Sequence, residues 1–327
     1  MQDSTIYAVA RIRTLEKGLL SAERIKRMAQ GSLDDAMRLL IETGYGSMPE
    51  ATADDLDTLI KNELDRMRAV IQEVTPDKAL TDVFLMRADV TNLKTLIKLR
   101  LMDELNTAAD NVSDIGTYDT ERLAQMVADK NYSELPEQFS GELNALEERL
   151  DARVNPRDIS TTLDRAYYRY ALSFKNPFVN AYFGASADFT NVLTLLRLRR
   201  NGEGAKALEP ALLPGGEIAL ERLLKYFDAP VDAIARSIGG GAARDSIAAA
   251  LEETIRSGDL SAVSKHRDSY LMRMIRAHKW ETESILPVIG YMLAREQEAQ
   301  AVRIVITLKR NGFTQDDILE RLRELYV

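Results

Sequence analysis

The sequence contains no cysteine, which removes disulfide staples, thiolate nucleophiles and cysteine-ligated metals from consideration. Histidine occurs only at His266 and His278 (278 − 266 = 12 residues apart). Zinc-binding helices carry histidines four apart with a glutamate between them, and di-iron bundles carry Glu-x-x-His; neither pattern is present. Both histidines read as ordinary, partly exposed helix residues. Long apolar runs are missing too. The longest, Ile285 to Ala294, contains Pro287 and Gly290, whereas a spanning helix needs about 20 residues. The short run from Ile6 to Ala10 is cut by Arg11 and Arg13, so no signal peptide is expected. A basic excess is also lacking: 43 basic against 51 acidic residues give a net charge of −8. That balance argues against a nucleic-acid face and against direct adhesion to anionic lipid.

Catalytic signatures are equally scarce. Gly239-Gly240-Gly241 lacks the Gly-Lys-Ser/Thr of a phosphate loop, and no Gly-x-Ser-x-Gly is present. Asp54-Asp55-Leu56-Asp57 admits two readings. All-α prenyl-transferring enzymes hold magnesium and diphosphate on aspartate-rich helices, but their spacing wants an acid where Thr58 stands. The other reading is an acidic helix start favoured by the macrodipole. No catalytic, cofactor-binding or metal-ligating residue is expected.

What the chain does contain is a repeat. Asp89-Val90-Thr91-Asn92-Leu93-Lys94-Thr95-Leu96-Ile97-Lys98-Leu99-Arg100 returns as Asp188-Phe189-Thr190-Asn191-Val192-Leu193-Thr194-Leu195-Leu196-Arg197-Leu198-Arg199, at an offset of 188 − 89 = 99. Leu64-Asp65-Arg66 returns at the same offset as Leu163-Asp164-Arg165. Two markers at one offset indicate duplicated units. A third copy starts at Glu298 and ends at Lys309, with Ala301 in the Asn column. The columns of Leu93, Leu96, Ile97 and Leu99 are apolar in all three, a stripe that must face a core or a partner. Each copy is expected to open on its acid and close on its base, as a helix dipole favours. Copies two and three stop at Asn201-Gly202 and Asn311-Gly312, with Gly in the left-handed cap position.

Helical periodicity runs throughout and no strand pattern interrupts it, which predicts an all-α chain. Polar or glycine-rich boundaries at Asn111–Thr117 and Gly202–Gly216 divide it into helical repeat units 1–110, 111–205 and 206–327. Tyr7-Ala8-Val9-Ala10-Arg11 is similar to Tyr291-Met292-Leu293-Ala294-Arg295, so the incomplete ends are expected to close on each other around a pseudo-threefold axis. Aromatics are only 6% of the chain, yet seven crowd between Tyr167 and Phe183. They fit either a bundle core or an interface.

The opening Tyr7-Ala8-Val9-Ala10-Arg11-Ile12-Arg13-Thr14-Leu15-Glu16, Leu19-Leu20, the Thr43-Gly44-Tyr45 segment and the Asp-x-Thr-Asn helices together resemble one family. It is the C subunit of the bacterial and archaeal V-type (A-type) ATPases, known as the d subunit in the eukaryotic vacuolar ATPase. The resemblance covers essentially the whole chain. It implies a funnel of three similar helical domains, peripheral on the cytoplasmic face of the membrane. It implies a non-catalytic central-stalk subunit, without cofactor, that links the rotor shaft of the ATPase head to the membrane rotor ring of proteolipid subunits. Its partners would be shaft and ring, with no nucleic acid and no direct membrane insertion. A prenyl-diphosphate-type enzyme and a generic helical adaptor are the alternatives.

Overall fold

The computed structural model describes residues 2–152, 155–238, 241 and 243–327; the expected turn residue Val154 and the break at Gly239 and Gly240 lie outside the described residues. Among the described residues no strand occurs and the regular elements are helical, so the chain is all-α. In order, the α-helices are α1 (Gln2–Glu16), α2 (Ala22–Gln30), α3 (Leu33–Ile41), α4 (Leu56–Val74), α5 (Lys78–Leu101) and α6 (Ala108–Asn111). Next come α7 (Thr120–Ala128), α8 (Glu137–Ala152), α9 (Pro156–Ser173), α10 (Pro177–Arg200), α11 (Leu208–Ala211) and α12 (Leu220–Lys225). The last are α13 (Val231–Ser237), α14 (Arg244–Ser257), α15 (Ser261–Ala277), α16 (Leu286–Arg310) and α17 (Gln315–Arg321).

Local chemistry explains where many of these start. Ser32 and Asp35 form a reciprocal capping box at α3, and Thr314 and Asp317 form another at α17. Ser21 and Asp119 cap α2 and α7 through the backbone N–H of Arg24 and Arg122. At α9 and α10 an asparagine cap, Asn155 or Asn176, precedes a proline already set for the helical φ.

The three repeated segments do not begin their helices. α5, α10 and α16 start at Lys78, Pro177 and Leu286, so Asp89, Asp188 and Glu298 stand near mid-helix. The dipole acts only over the first and last turns, so the expectation that these acids open the helices is corrected. The stretch leading into the acid is buried on all sides in two of the three cases: Phe183 to Phe189 in α10 and Pro287 to Arg295 in α16 are continuously buried. A helix wrapped all round shows no polar face, and so no period, in sequence.

By contacts the chain forms two compact bodies, one from Met1–Phe84 with Met272–Val327, the other from Leu85–Leu271. In the first, the two ends of the chain pack together. α16 lies against α1, α2, α3 and α4, and α17 lies against α2. Their shared core includes Ile25, Met28, Leu40, Leu59, Val302 and Val305. In the second, α9 packs on both α8 and α10. The α9–α10 seam holds the aromatic stretch, where Phe183 lies edge-on to Tyr167 at 5.3 Å and to Tyr168 at 5.2 Å. Tyr167 and Phe183 are core; Tyr168, Tyr170, Phe174, Phe178 and Tyr182 are half-buried.

All three long helices end the same way. The residue after the cap takes positive φ, Asp103 at 58°, Gly202 at 74° and Gly312 at 75°. The next N–H then reaches back to the carbonyl of Leu99, Leu198 or Leu308 at 2.8, 2.9 and 3.0 Å, as in a Schellman motif. The first copy thus makes the glycine turn without glycine. Left-handed φ costs an L-residue roughly 1–2 kcal/mol, and glycine's extra unfolded-state entropy offsets somewhat less than 1 kcal/mol of any relief. Asp103→Gly should therefore raise stability by about 0.5 kcal/mol, read as a higher denaturant midpoint at unchanged slope.

Candidate functional site: the acid clamps

A carboxylate in the middle of a buried helix has no free helical N–H to bind, because each is already bonded to a carbonyl one turn back. Asp89 and Asp188 are 0% and 4% exposed, and both take donors from the loop that follows their own repeat. Asp89 accepts from Thr117 N and Thr117 Oγ1 at 2.7 Å each and from Tyr118 N at 3.2 Å. Asp188 accepts from Glu217 N at 3.1 Å and Ile218 N at 2.9 Å. One turn further along, the asparagine acts as a detached peptide group. Asn92 donates to Ser113 O at 2.7 Å and accepts from Ser113 N at 2.9 Å. Asn191 does the same with Leu213, at 3.0 and 2.8 Å.

The third copy uses different chemistry for the same grip. Glu298 accepts from the backbone N–H of Leu20, in the turn between α1 and α2. Ala301 gives it no amide partner. Instead Arg295 donates to Glu298 at 2.6 Å and lies 3.1 Å from Glu63 of α4. Glu63 in turn accepts from Gly46 N at 3.2 Å. All three charged side chains are less than 10% exposed.

The basic end of each repeat holds a second point. Arg100 donates to Val127 O and Arg199 to Ala229 O, both at 2.7 Å, and Lys309 donates to Gly31 O. Acid and base stand eleven residues apart in each copy (100 − 89, 199 − 188, 309 − 298), about 16 Å along a helix. That reach matches the nine-residue helices α2 and α7, about 13.5 Å long. With α7 and α2 the acid therefore holds the start of the helix and the base binds a carbonyl at its end, whereas Arg199 reaches past the six-residue α12 to Ala229.

Glycine makes the approach possible. A Cβ on Gly116 would fall on the Asp89 carboxylate, and one on Gly216 on that of Asp188. These glycines belong to a second repeat that sequence reasoning missed. Gly18-Leu19-Leu20-Ser21-Ala22-Glu23-Arg24-Ile25 matches Gly116-Thr117-Tyr118-Asp119-Thr120-Glu121-Arg122-Leu123 and Gly216-Glu217-Ile218-Ala219-Leu220-Glu221-Arg222-Leu223. The signal was available: Gly, an apolar residue two on, then Glu-Arg-apolar.

The other residues singled out in the sequence make local pairings. Asp55 forms a capping box with Thr52, while Asp54 and Asp57 pair with Arg310 and Arg303. Among the described residues no group of three or more acids and histidines could hold a metal ion. His266 contacts Glu253 at 2.9 Å and His278 contacts Glu281 at 2.6 Å, each in a separate pairing.

A sequence profile for the ATP synthase (C/AC39) subunit matches residues 8–321, a span that contains all three clamps. The chain belongs to that family. It is similar to the A-type ATP synthase C subunit of Thermococcus onnurineus, at 26% identity over 339 residues covering 98% of this chain and 89% of that protein. It is similar also to the A-type ATP synthase C subunit of Halorubrum lacusprofundi, at 25% identity with 97% and 96% covered. The V-type sodium ATPase C subunit of Enterococcus hirae is 22% identical, with 96% and 97% covered. The chain is thus of the C-subunit kind found in V/A-type ATPases. No helix among its described residues is long and apolar enough to cross a membrane.

The clamp geometry makes a steric prediction. Gly216→Ala forces a methyl into the Asp188 carboxylate and should cost about 1–3 kcal/mol, the usual range for overpacking. Gly141→Ala, inside α8 with open space around it, should instead gain about 0.5–1 kcal/mol. Thermal unfolding of the two variants side by side checks both signs.

It also makes a prediction about pH. Burial pushes Glu298 up to about 6 from an ordinary 4.5, and Arg295 offsets this only in part. Between those values the folded chain holds a proton that the unfolded chain has released. The contribution of Glu298 to stability therefore falls as pH rises from 4.5 to 6. The gap, 6 − 4.5 = 1.5, corresponds to about 2 kcal/mol. Wild type should lose about that much relative to Glu298→Gln between pH 4 and 7, measured by denaturant unfolding. A difference that stays flat with pH would contradict this.

Proposed function

We propose that this chain is a non-catalytic central-stalk subunit of a rotary V/A-type ATPase. It acts as a socket between the rotor shaft of the ATPase head and the membrane ring of proteolipid subunits, peripheral on the cytoplasmic face. In this reading, repeat units 1–110, 111–205 and 206–327 stand about a pseudo-threefold axis as a funnel. The carrying observation is family membership across residues 8–321, together with relatives named as the C subunits of A-type and V-type enzymes. The clamps support the mechanical part. Transmitting torque requires that successive units keep their angle under load. A buried carboxylate bound to backbone N–H groups resists sliding in a way that apolar contact alone does not, because hydrogen bonds weaken steeply with misalignment. The absence of a phosphate loop from the sequence fits a part that moves with the machine and leaves nucleotide chemistry to the head.

The test is reconstitution of the complete complex in vesicles, with ATP hydrolysis and ion uptake followed together by sodium and proton reporters. With the chain present, hydrolysis should drive ion uptake. With residues 111–204 deleted, or the chain omitted, the head should still hydrolyse ATP while uptake is lost. Ion uptake that persists without the chain, or a detached head that loses hydrolysis, would refute the socket.

A further inference from the structure

The geometry points to a docking pocket on the first body, between α3 and the returning segment 49–53, for an apolar side chain carried on a basic segment of a partner protein. The cavity is about 380 Å³ and opens to solvent between Met37, Ile41, Pro49 and Ala51. That is within the roughly 300–1,000 Å³ of ordinary ligand pockets. Its floor is core: Met37 and Ala51 are 6% and 9% exposed and belong to the same apolar cluster as Leu40 and Leu56. The space arises because the chain leaves α3 at Ile41, turns through the left-handed Gly44 and Gly46, and comes back with small residues at Ala51 and Ala53. An unfilled apolar recess gives up the close contact that interiors otherwise achieve, and a leucine- or methionine-sized side chain would restore it.

Charge at the mouth selects the segment that carries the side chain. Asp34 and Glu42 line the opening, both exposed, and neither side chain has an ion-pair or hydrogen-bond partner among the described residues. The cation in the lining, Arg38, lies 3.8 Å from Asp35, and Asp35 is itself engaged with Ser32. The mouth thus presents two unpaired carboxylates and one weakly paired arginine around an apolar floor, a lining that is acidic on balance. Lysine or arginine flanking the incoming side chain would complement them, whereas an acidic segment would be repelled. The pocket does not depend on the socket reading; if that reading holds, a neighbouring component of the complex supplies the segment.

The test uses the isolated full-length chain and two synthetic helical peptides. Both carry the same two leucines one turn apart; one has four lysines around them, the other four glutamates. Methyl NMR of Met37 and Ile41 reports the site, and fluorescence anisotropy gives the affinity. The lysine peptide should bind saturably at low salt, shift both methyls, and weaken as salt rises. Asp34→Asn with Glu42→Gln, both on the exposed surface, should weaken it about tenfold while shifting thermal unfolding only slightly, since the two charges act in opposite senses on the α3 dipole. Ala53→Trp, which fills the recess, should abolish the methyl shifts. The proposal is overturned if the glutamate peptide binds equally well, if neither variant changes the affinity, or if no shift appears at millimolar peptide. Coupling in vesicles is a separate readout, so failure here leaves the socket standing.

Discussion

Everything in the repeat follows from placing an ionised group where water cannot reach it. Moving a carboxylate out of water costs several kcal/mol after relaxation, so Asp89 and Asp188 can stay buried only with strong donors in fixed places. A helix interior offers none. The donors must come from elsewhere in the chain, and in both copies they are consecutive backbone N–H groups of the next loop. The loop's conformation is thereby tied to a rigid helix of 24 residues. Glycine at 116 and 216 is the steric condition for that contact. The asparagine amide and the terminal arginine add further points on the same rod.

The third copy shows what changes when one of these conditions relaxes. Glu298 receives one backbone N–H instead of two, and Ala301 offers no amide. The missing stabilisation comes from Arg295, which stands between Glu298 and Glu63. Glu63 already binds the turn at Gly46. A local clamp has become a buried ionic cluster that joins the α1–α2 turn, α4, the Gly46 turn and α16. Burial still dominates, and Glu298 is left with a raised pKa. Asp188 is raised too, by burial and the neighbouring Glu217, against its two backbone donors. Holding loops this way leaves some carboxylates ionised against their preference.

Helical class, the glycine stops and the repeat were legible in the sequence, because each rests on short-range chemistry. The Gly202 and Gly312 stops depend only on nearby residues. The role of Asp188 and Glu298 was not legible. The segments ahead of them, Phe183–Ala187 and Pro287–Arg295, are buried all round and show no polar face to mark them as helix, so the acids looked like first-turn residues. The glycine repeat was hidden for a different reason. Its offsets are 116 − 18 = 98 and 216 − 116 = 100, while the first two helices repeat at 188 − 89 = 99. Loop lengths drift by a residue at little cost, so a search at one fixed offset passes over the partner of the motif it has found. Arg295 and Glu63 left no sequence signal, since nothing local brings them together across α16 and α4.

Apolar packing and the clamps divide the mechanical work between them. Burying the Leu93, Leu96 and Ile97 columns supplies most of the cohesion, at about 1.5–3 kcal/mol for each large side chain, but that attraction is non-directional. Two helices held only by such a stripe can slide or rotate by a fraction of a turn with little loss, since one set of methyl contacts replaces another. The clamps supply no comparable cohesion. What they supply is a single allowed register, since shifting α5 past its loop by even one residue would leave Asp89 buried and unpaired. Removing partners from a buried ion is among the costliest local changes a fold can suffer. A helix and loop that are merely sticky would slip under load; a loop keyed to its helix by buried charge keeps its register. For the proposed place between shaft and ring, that keying is the property that matters, and it is the property the repeated Asp, Asn and Arg provide.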